Sequence, residues 1–262
     1  MGEARARRSR TERFLSQHPY CCFCGGTVPA TTVEHAPPIV FFVNRQRPAT
    51  HEFPACERCN LGSKANDMVA AFTAVSMATA THSVEKDYAD KIISGLVNNY
   101  PEVASSLKEE GSTFVRKNGI LHPAVAIRTS APLYVKWLNP WAAKQGLALW
   151  YLYAGGALAE EGRVSVRWFS NHDLWDGNVS PNVWNDLPDA GYLSAGKRNS
   201  IGTYEYKFGI DEEKRAGIFL LLLYGCALVA VAIDSNGSHE VGGDEWPTYF
   251  TGPGTGIVEF AA

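Results

Sequence analysis

The chain lacks any apolar stretch behind its N-terminus that could serve as a secretory core. MGEARARRSRTERFLSQHPY carries Arg5, Arg7, Arg8, Arg10 and Arg13 against Glu3 and Glu12, and no hydrophobic run follows. This predicts a cytoplasmic, reducing environment, in which cysteines serve as metal ligands or reactive groups rather than disulfides. Internal repeats and low-complexity tracts are absent as well. With 262 residues, 45% apolar and 19% charged, the composition is that of a globular chain, and two domains suit it better than one. One long uncharged run exists, AGIFLLLLYGCALVAVAI at 216–233. Tyr224-Gly225-Cys226 interrupts it and its second half alternates Val with Ala. It therefore reads as two buried strands turning at Gly225, and no membrane partner is expected.

Charge is distributed unevenly. Residues 1–70 hold nine Lys/Arg and six Asp/Glu, net +3 in a chain of net −3, so the remainder carries −6. A basic head on an acidic whole suits a local anionic partner. Patterning divides the chain into three: 1–70 with the cysteines and a basic N-terminal arm, a helical linker region over 71–135, and an α+β domain over 136–262. Helices are expected over 66–80, over 84–99 with Tyr88, Ile92 and Leu96 on one stripe, over 101–111 between Pro101 and Gly111, and over 140–153. Strands are expected over 163–169, 203–210, 218–224 and 227–233, giving an antiparallel sheet. The tryptophans of the second half, among them Trp141 and Trp168, read as core and rim. No run in that half spells a reaction.

Six cysteines are few, yet four of them form two matched pairs. Cys21 and Cys24 open CCFCGGTVPATTVEHA, and Cys56 and Cys59 close FPACERCN, with 31 residues between the pairs. Each pair has the spacing of a zinc knuckle, and Gly25-Gly26 supplies the positive dihedral angles such a turn favours. A thioredoxin-like redox pair needs one Cys-x-x-Cys between a strand and a helix, which is not the context here. Cys22 is an alternative ligand to Cys21, and Cys226 reads as simply buried. A segment of about fifty residues, poor in large aliphatics, cannot order itself by burial alone. A structural Zn²⁺, worth on the order of 10 kcal/mol, can hold it, but four sulfurs leave the ion no open position for chemistry.

Between the pairs lies TTVEHAPP, and the second pair runs into CNLGSKAND. The pattern of Cys-x-x-Cys, then Glu-His-x-Pro, then Cys-x-x-Cys-Asn followed by a lysine resembles the HNH endonuclease family, over about residues 20–70. It is most similar to a bacterial subgroup in which an aromatic and an arginine precede Phe-Pro-Ala-Cys. Phe41 or Phe42, Arg45 or Arg47, and Phe53-Pro54-Ala55 match that description. The resemblance implies a zinc-stabilised ββα-metal module and a metal-dependent endonuclease hydrolysing phosphodiester bonds in DNA. It implies His35 as general base, His51 in the middle position where the family usually has Asn, and Asn60 in the last. Glu34 and Asn60 would hold a catalytic Mg²⁺ or Mn²⁺, distinct from the Cys21, Cys24, Cys56, Cys59 zinc. Lys64, Arg58, Arg45 and Arg47 would bind nucleic acid. The alternative is a catalytically degenerate zinc-scaffolded protein that binds nucleic acid or regulates without cutting. A protein partner or a second copy of the chain could engage the C-terminal domain.

Overall fold

A computed structural model describes residues 2–48, 51–81, 84–106, 108–117, 120–128, 134–169, 173, 183–237, 248–252 and 256–257. The fold is α+β. The basic arm forms helix α1 (Gly2–Gln17). Strands β1 (Thr32–Ala36) and β2 (His51–Ala55) make an antiparallel ribbon, with Glu34 opposite Phe53, His35 opposite Glu52 and Ala36 opposite His51. Pro37 and Pro38 end β1, since proline donates no ladder hydrogen bond. After β2 the chain enters the short α2 (Glu57–Leu61), capped by Cys56, and then α3 (Lys64–Thr81).

Helix α4 (Lys86–Asn99) buries Tyr88, Ala89, Ile92 and Leu96, the stripe its fourfold spacing predicts. The helix expected over 101–111 stops early, as α5 (Pro101–Ser106). The region read as a helical linker then departs from helix altogether. Residues 108–128 form a hairpin of β3 (Lys108–Lys117) and β4 (Ile120–Arg128). Its β-branched and aromatic residues, Thr113, Phe114, Val115, Val125 and Ile127, outweigh the helical composition before it.

Helix α6 (Asn139–Ala154) is the central element, with every residue from Trp141 to Trp150 buried. A helix apolar on nearly all sides must be enclosed. On one side lie β5 (Arg163–Phe169), β10 (Ala216–Leu223) and β11 (Ala227–Asp234). On the other lies the cysteine-bearing module, where the Phe41 and Trp141 rings stack 5.2 Å apart. The strands β6 (Asp189–Tyr192), β7 (Ser194–Ala195), β8 (Arg198–Asn199), β9 (Tyr204–Ile210), β12 (Thr248–Gly252) and β13 (Gly256–Ile257) complete the second half. Four of these join β5, β10 and β11 in one seven-stranded antiparallel sheet in the order β13-β12-β5-β11-β10-β9-β6, and β7 pairs with β8 alone. The long apolar run is the β10–β11 hairpin, with Tyr224 and Gly225 at positive φ in its turn. No helix among the described residues is long and apolar enough to cross a membrane. One buried cluster runs from Cys21 through Val103 to Ile233, so the core passes through all three stretches of chain.

Candidate metal centre and the adjoining basic cavity

Two turns build the cysteine cluster. In the first, Gly25 and Gly26 take φ of 66° and 72°, folding the backbone back so that Cys21 N donates to Val28 O at 2.7 Å. In the second, Cys56 caps α2 and Cys59 follows one turn later. The Sγ atoms of Cys21, Cys24, Cys56 and Cys59 all lie within 4.8 Å of one another, Cys24 standing 3.3 Å from Cys59 and 3.8 Å from Cys56. A tetrahedral zinc with Zn–S of about 2.3 Å separates its sulfurs by roughly 3.8 Å, so the donor set fits that ion. Hydrogen bonding to Cys24, with burial, pushes the Cys21 thiol up to about 12, and hydrogen bonding from Cys21 and Cys24 pushes Cys59 up further. Sulfurs crowded in this way become stable thiolates when a divalent cation neutralises them. All six cysteines are free of disulfides. Cys22 is buried outside the cluster, its thiol held protonated by burial, so Cys21 and not Cys22 completes the set.

Beside the cluster opens a cavity of about 880 Å³. Glu34, His35 and Asn60 contribute to its wall, as do the cations Arg45, Arg47, Lys64 and Lys91. The loop carrying the arginines is clamped from behind: Tyr88 of α4 donates to Val40 O at 2.7 Å, and Tyr224 of the β10–β11 turn donates to Phe41 O at 2.6 Å. Arg47 itself donates to Pro37 O at 2.8 Å and lines a second cavity of about 560 Å³, shared with His35, Glu52 and Arg10. His35 and Arg47 therefore stand between two openings. Arg58 is exposed on α2 and is not among the residues lining either cavity.

Three residues behave differently from expectation. His51 does not join His35: Glu52 stands directly opposite His35, and its neighbour His51 projects from the other face of the ribbon, because side chains alternate along a strand. It packs against Phe53 and Tyr206, its Nε2 3.4 Å from the Tyr206 hydroxyl, and burial lowers its pKa. Asn60 uses its amide to pin α2 to β1, donating to Thr32 Oγ1 at 3.1 Å and Val33 O at 3.2 Å. Glu34, only 9% exposed, accepts from the Lys144 ammonium at 2.8 Å through one oxygen and from its neighbour's backbone, His35 N, at 3.1 Å through the other.

The sequence reading missed Lys144, Asp67 and Glu52. Lys144 comes from α6 and is 3% exposed. Asp67, on the cavity wall, has its carboxyl pushed up to about 7 by burial, with Lys144 opposing and Glu34 reinforcing. Glu52 also pairs with Arg10 at 2.9 Å. Among the described residues the four cysteines are the one group of three or more potential metal-ligating side chains gathered together. A divalent ion on Glu34, about 4 Å from the ammonium, would meet a repulsion of roughly 8 kcal/mol at an effective dielectric of about 20. Glu34 and Asn60 as arranged do not fit a second metal. Family models, curated proteins and solved structures were compared with this chain, and none of them matches it.

Proposed function

We propose that the N-terminal module is a zinc-scaffolded, HNH-like endonuclease unit that binds nucleic acid, DNA in the first instance, and hydrolyses its phosphodiester bonds at His35. The observation that carries this reading is the convergence of His35 and Asn60 with Arg45, Arg47 and Lys64 on one cavity beside the cysteine cluster. Zinc, in this reading, is a scaffold: it fixes the ends of β2 and α2 so that the cavity keeps its shape. Arg45, Lys64 and Lys91 neutralise backbone phosphates, and Arg47 sits where it can hold the phosphate being cleaved. His35 takes the proton of the attacking water as the new P–O bond forms and the bond to the leaving sugar oxygen breaks. Glu52, across the ribbon from His35, replaces His51 as the group that orients the imidazole. In this reading hydrolysis does not run through Mg²⁺ or Mn²⁺ on Glu34, because that carboxylate is committed to Lys144.

Plasmid nicking tests the reading, run with and without added Mg²⁺ or Mn²⁺ on protein carrying about one equivalent of zinc. Nicking that His35→Ala abolishes supports it. The Lys144–Glu34 pair favours a second reading, a module that holds nucleic acid without cutting it. Zinc-loaded protein that retains DNA and RNA but cuts neither would establish that alternative.

A further inference from the structure

Lys144 occupies a place that burial alone would have given to an aliphatic residue. It lies within the buried turns of α6, flanked by Ala142, Ala143 and Leu147, all at most 1% exposed. An ammonium has three donors, and here three acceptors meet them: Glu34 Oε2 at 2.8 Å, Cys59 O at 3.0 Å and Ser63 Oγ at 2.6 Å. The Phe23 ring, from the first cysteine turn, lies 5.3 Å from the same nitrogen. These contacts come from β1, from the second cysteine turn, from the α2–α3 junction and from the first turn. The charge is therefore fixed by the same elements that build the cysteine cluster. Glu34's other oxygen is held by the backbone of His35.

We infer that Lys144 is the resident counter-cation of Glu34, inserted by the second half of the chain at the carboxylate where the HNH resemblance would place a divalent metal. Lys144 is a positioning residue: it holds Glu34, and through the shared backbone His35, in one arrangement. It also keeps divalent ions off that carboxylate, so that phosphate is bound by amines and guanidiniums alone. This rests on the geometry of Lys144 and not on cleavage.

Mn²⁺ titration of the full-length, zinc-loaded protein tests it, free ion being followed by electron paramagnetic resonance. Wild-type protein is expected to show no Glu34-dependent Mn²⁺ site, so Glu34→Gln changes nothing. Lys144→Met is expected to create one site at least about tenfold tighter than any in the wild type, as the repulsion is lifted. Adding Glu34→Gln to Lys144→Met should abolish it. A merely structural ion pair would destabilise the protein when broken but would create no metal site. Tight Mn²⁺ binding by the wild type that Glu34→Gln removes would overturn the inference. So would Lys144→Met protein that keeps its zinc and gains no Mn²⁺. Should Lys144→Met fail to fold, Lys144→Gln, which removes the charge but keeps two amide donors, takes its place with the same expected and overturning results. DNA cleavage is not measured here, so an inactive protein leaves the result unaffected.

Discussion

Breaking the Glu34–Lys144 pair from one side should cost far more than removing it altogether. Both side chains are nearly dry, at 11% and 4% exposure, and 2.8 Å apart. Lys144→Met leaves a buried carboxylate facing a thioether and strands Cys59 O and Ser63 Oγ without their donor. Glu34→Leu leaves a buried ammonium with two neutral acceptors. Removing one partner of such a pair costs about 3–5 kcal/mol, against a total stability of roughly 5–15 kcal/mol. Either single variant should therefore lose about a fifth or more of the folding free energy. In the double variant Glu34→Leu/Lys144→Met no charge is buried, and replacing buried pairs by apolar groups is often neutral or better. The expected coupling is at least about 2 kcal/mol. Urea unfolding of zinc-loaded protein, followed by tryptophan fluorescence because Trp141 sits beside Lys144 on α6, supplies the four midpoints. If the double variant's loss equals the sum of the singles within about 0.5 kcal/mol, the two charges do not act on each other and the account of α6 is wrong.

Other expectations follow from the same geometry. Cys56→Ser should lower bound zinc from about one equivalent to near zero and unfold β1, β2 and α2, since the metal contributes on the order of 10 kcal/mol; elemental analysis with circular dichroism reads both. Asp67, pushed up to about 7 by burial, holds a proton that the unfolded chain releases near its ordinary value of 3.8. Its raised value therefore stabilises the fold at low pH, and that contribution is lost as pH rises through about 7. Asp67→Asn should flatten this dependence and gain on the order of 2 kcal/mol at pH 8, which thermal melts across pH will show; a variant no more stable than wild type at pH 8 would contradict it. Glu52→Gln, which removes the carboxylate opposite His35 on the ribbon, should lower nicking by about tenfold while leaving the zinc content at about one equivalent; nicking at the wild-type rate would mean Glu52 does not act on the proposed base.

Much of this fold is written locally, and the exceptions show why the rest is not. The β10–β11 hairpin could be read from two aliphatic runs broken at Tyr224-Gly225, and α4 from Tyr88, Ile92 and Leu96, because period and punctuation lie within each segment. The cysteine cluster was legible for the same reason: each knuckle is complete within four residues. The β3–β4 hairpin was missed although Asn118-Gly119, between Lys117 and Ile120, is a strong hairpin signal in the sequence. His51 was misplaced because counting along a motif ignores register. On a two-stranded ribbon, one residue of offset exchanges His51 for Glu52 on the face of His35.

Lys144 stands 110 residues from Glu34, and no spacing rule spans that distance. A signal was nonetheless present: PWAAKQGLALW places a charge in a stretch otherwise fit for complete burial, and a buried charge requires a partner. The search for that partner leads to the other conspicuous carboxylate, the Glu34 of Glu-His. This link also bears on how the halves of the chain depend on each other. Zinc can order the cysteine turns, but Glu34 sits beneath α6, and its charge is balanced only when α6 is packed between β11 and the module. The Phe41–Trp141 stack and the Tyr224 hydroxyl on Phe41 O tie the cavity loop to that same packing. The N-terminal quarter therefore carries the motif, while the second half supplies the charge and the clamps that give the motif a working shape.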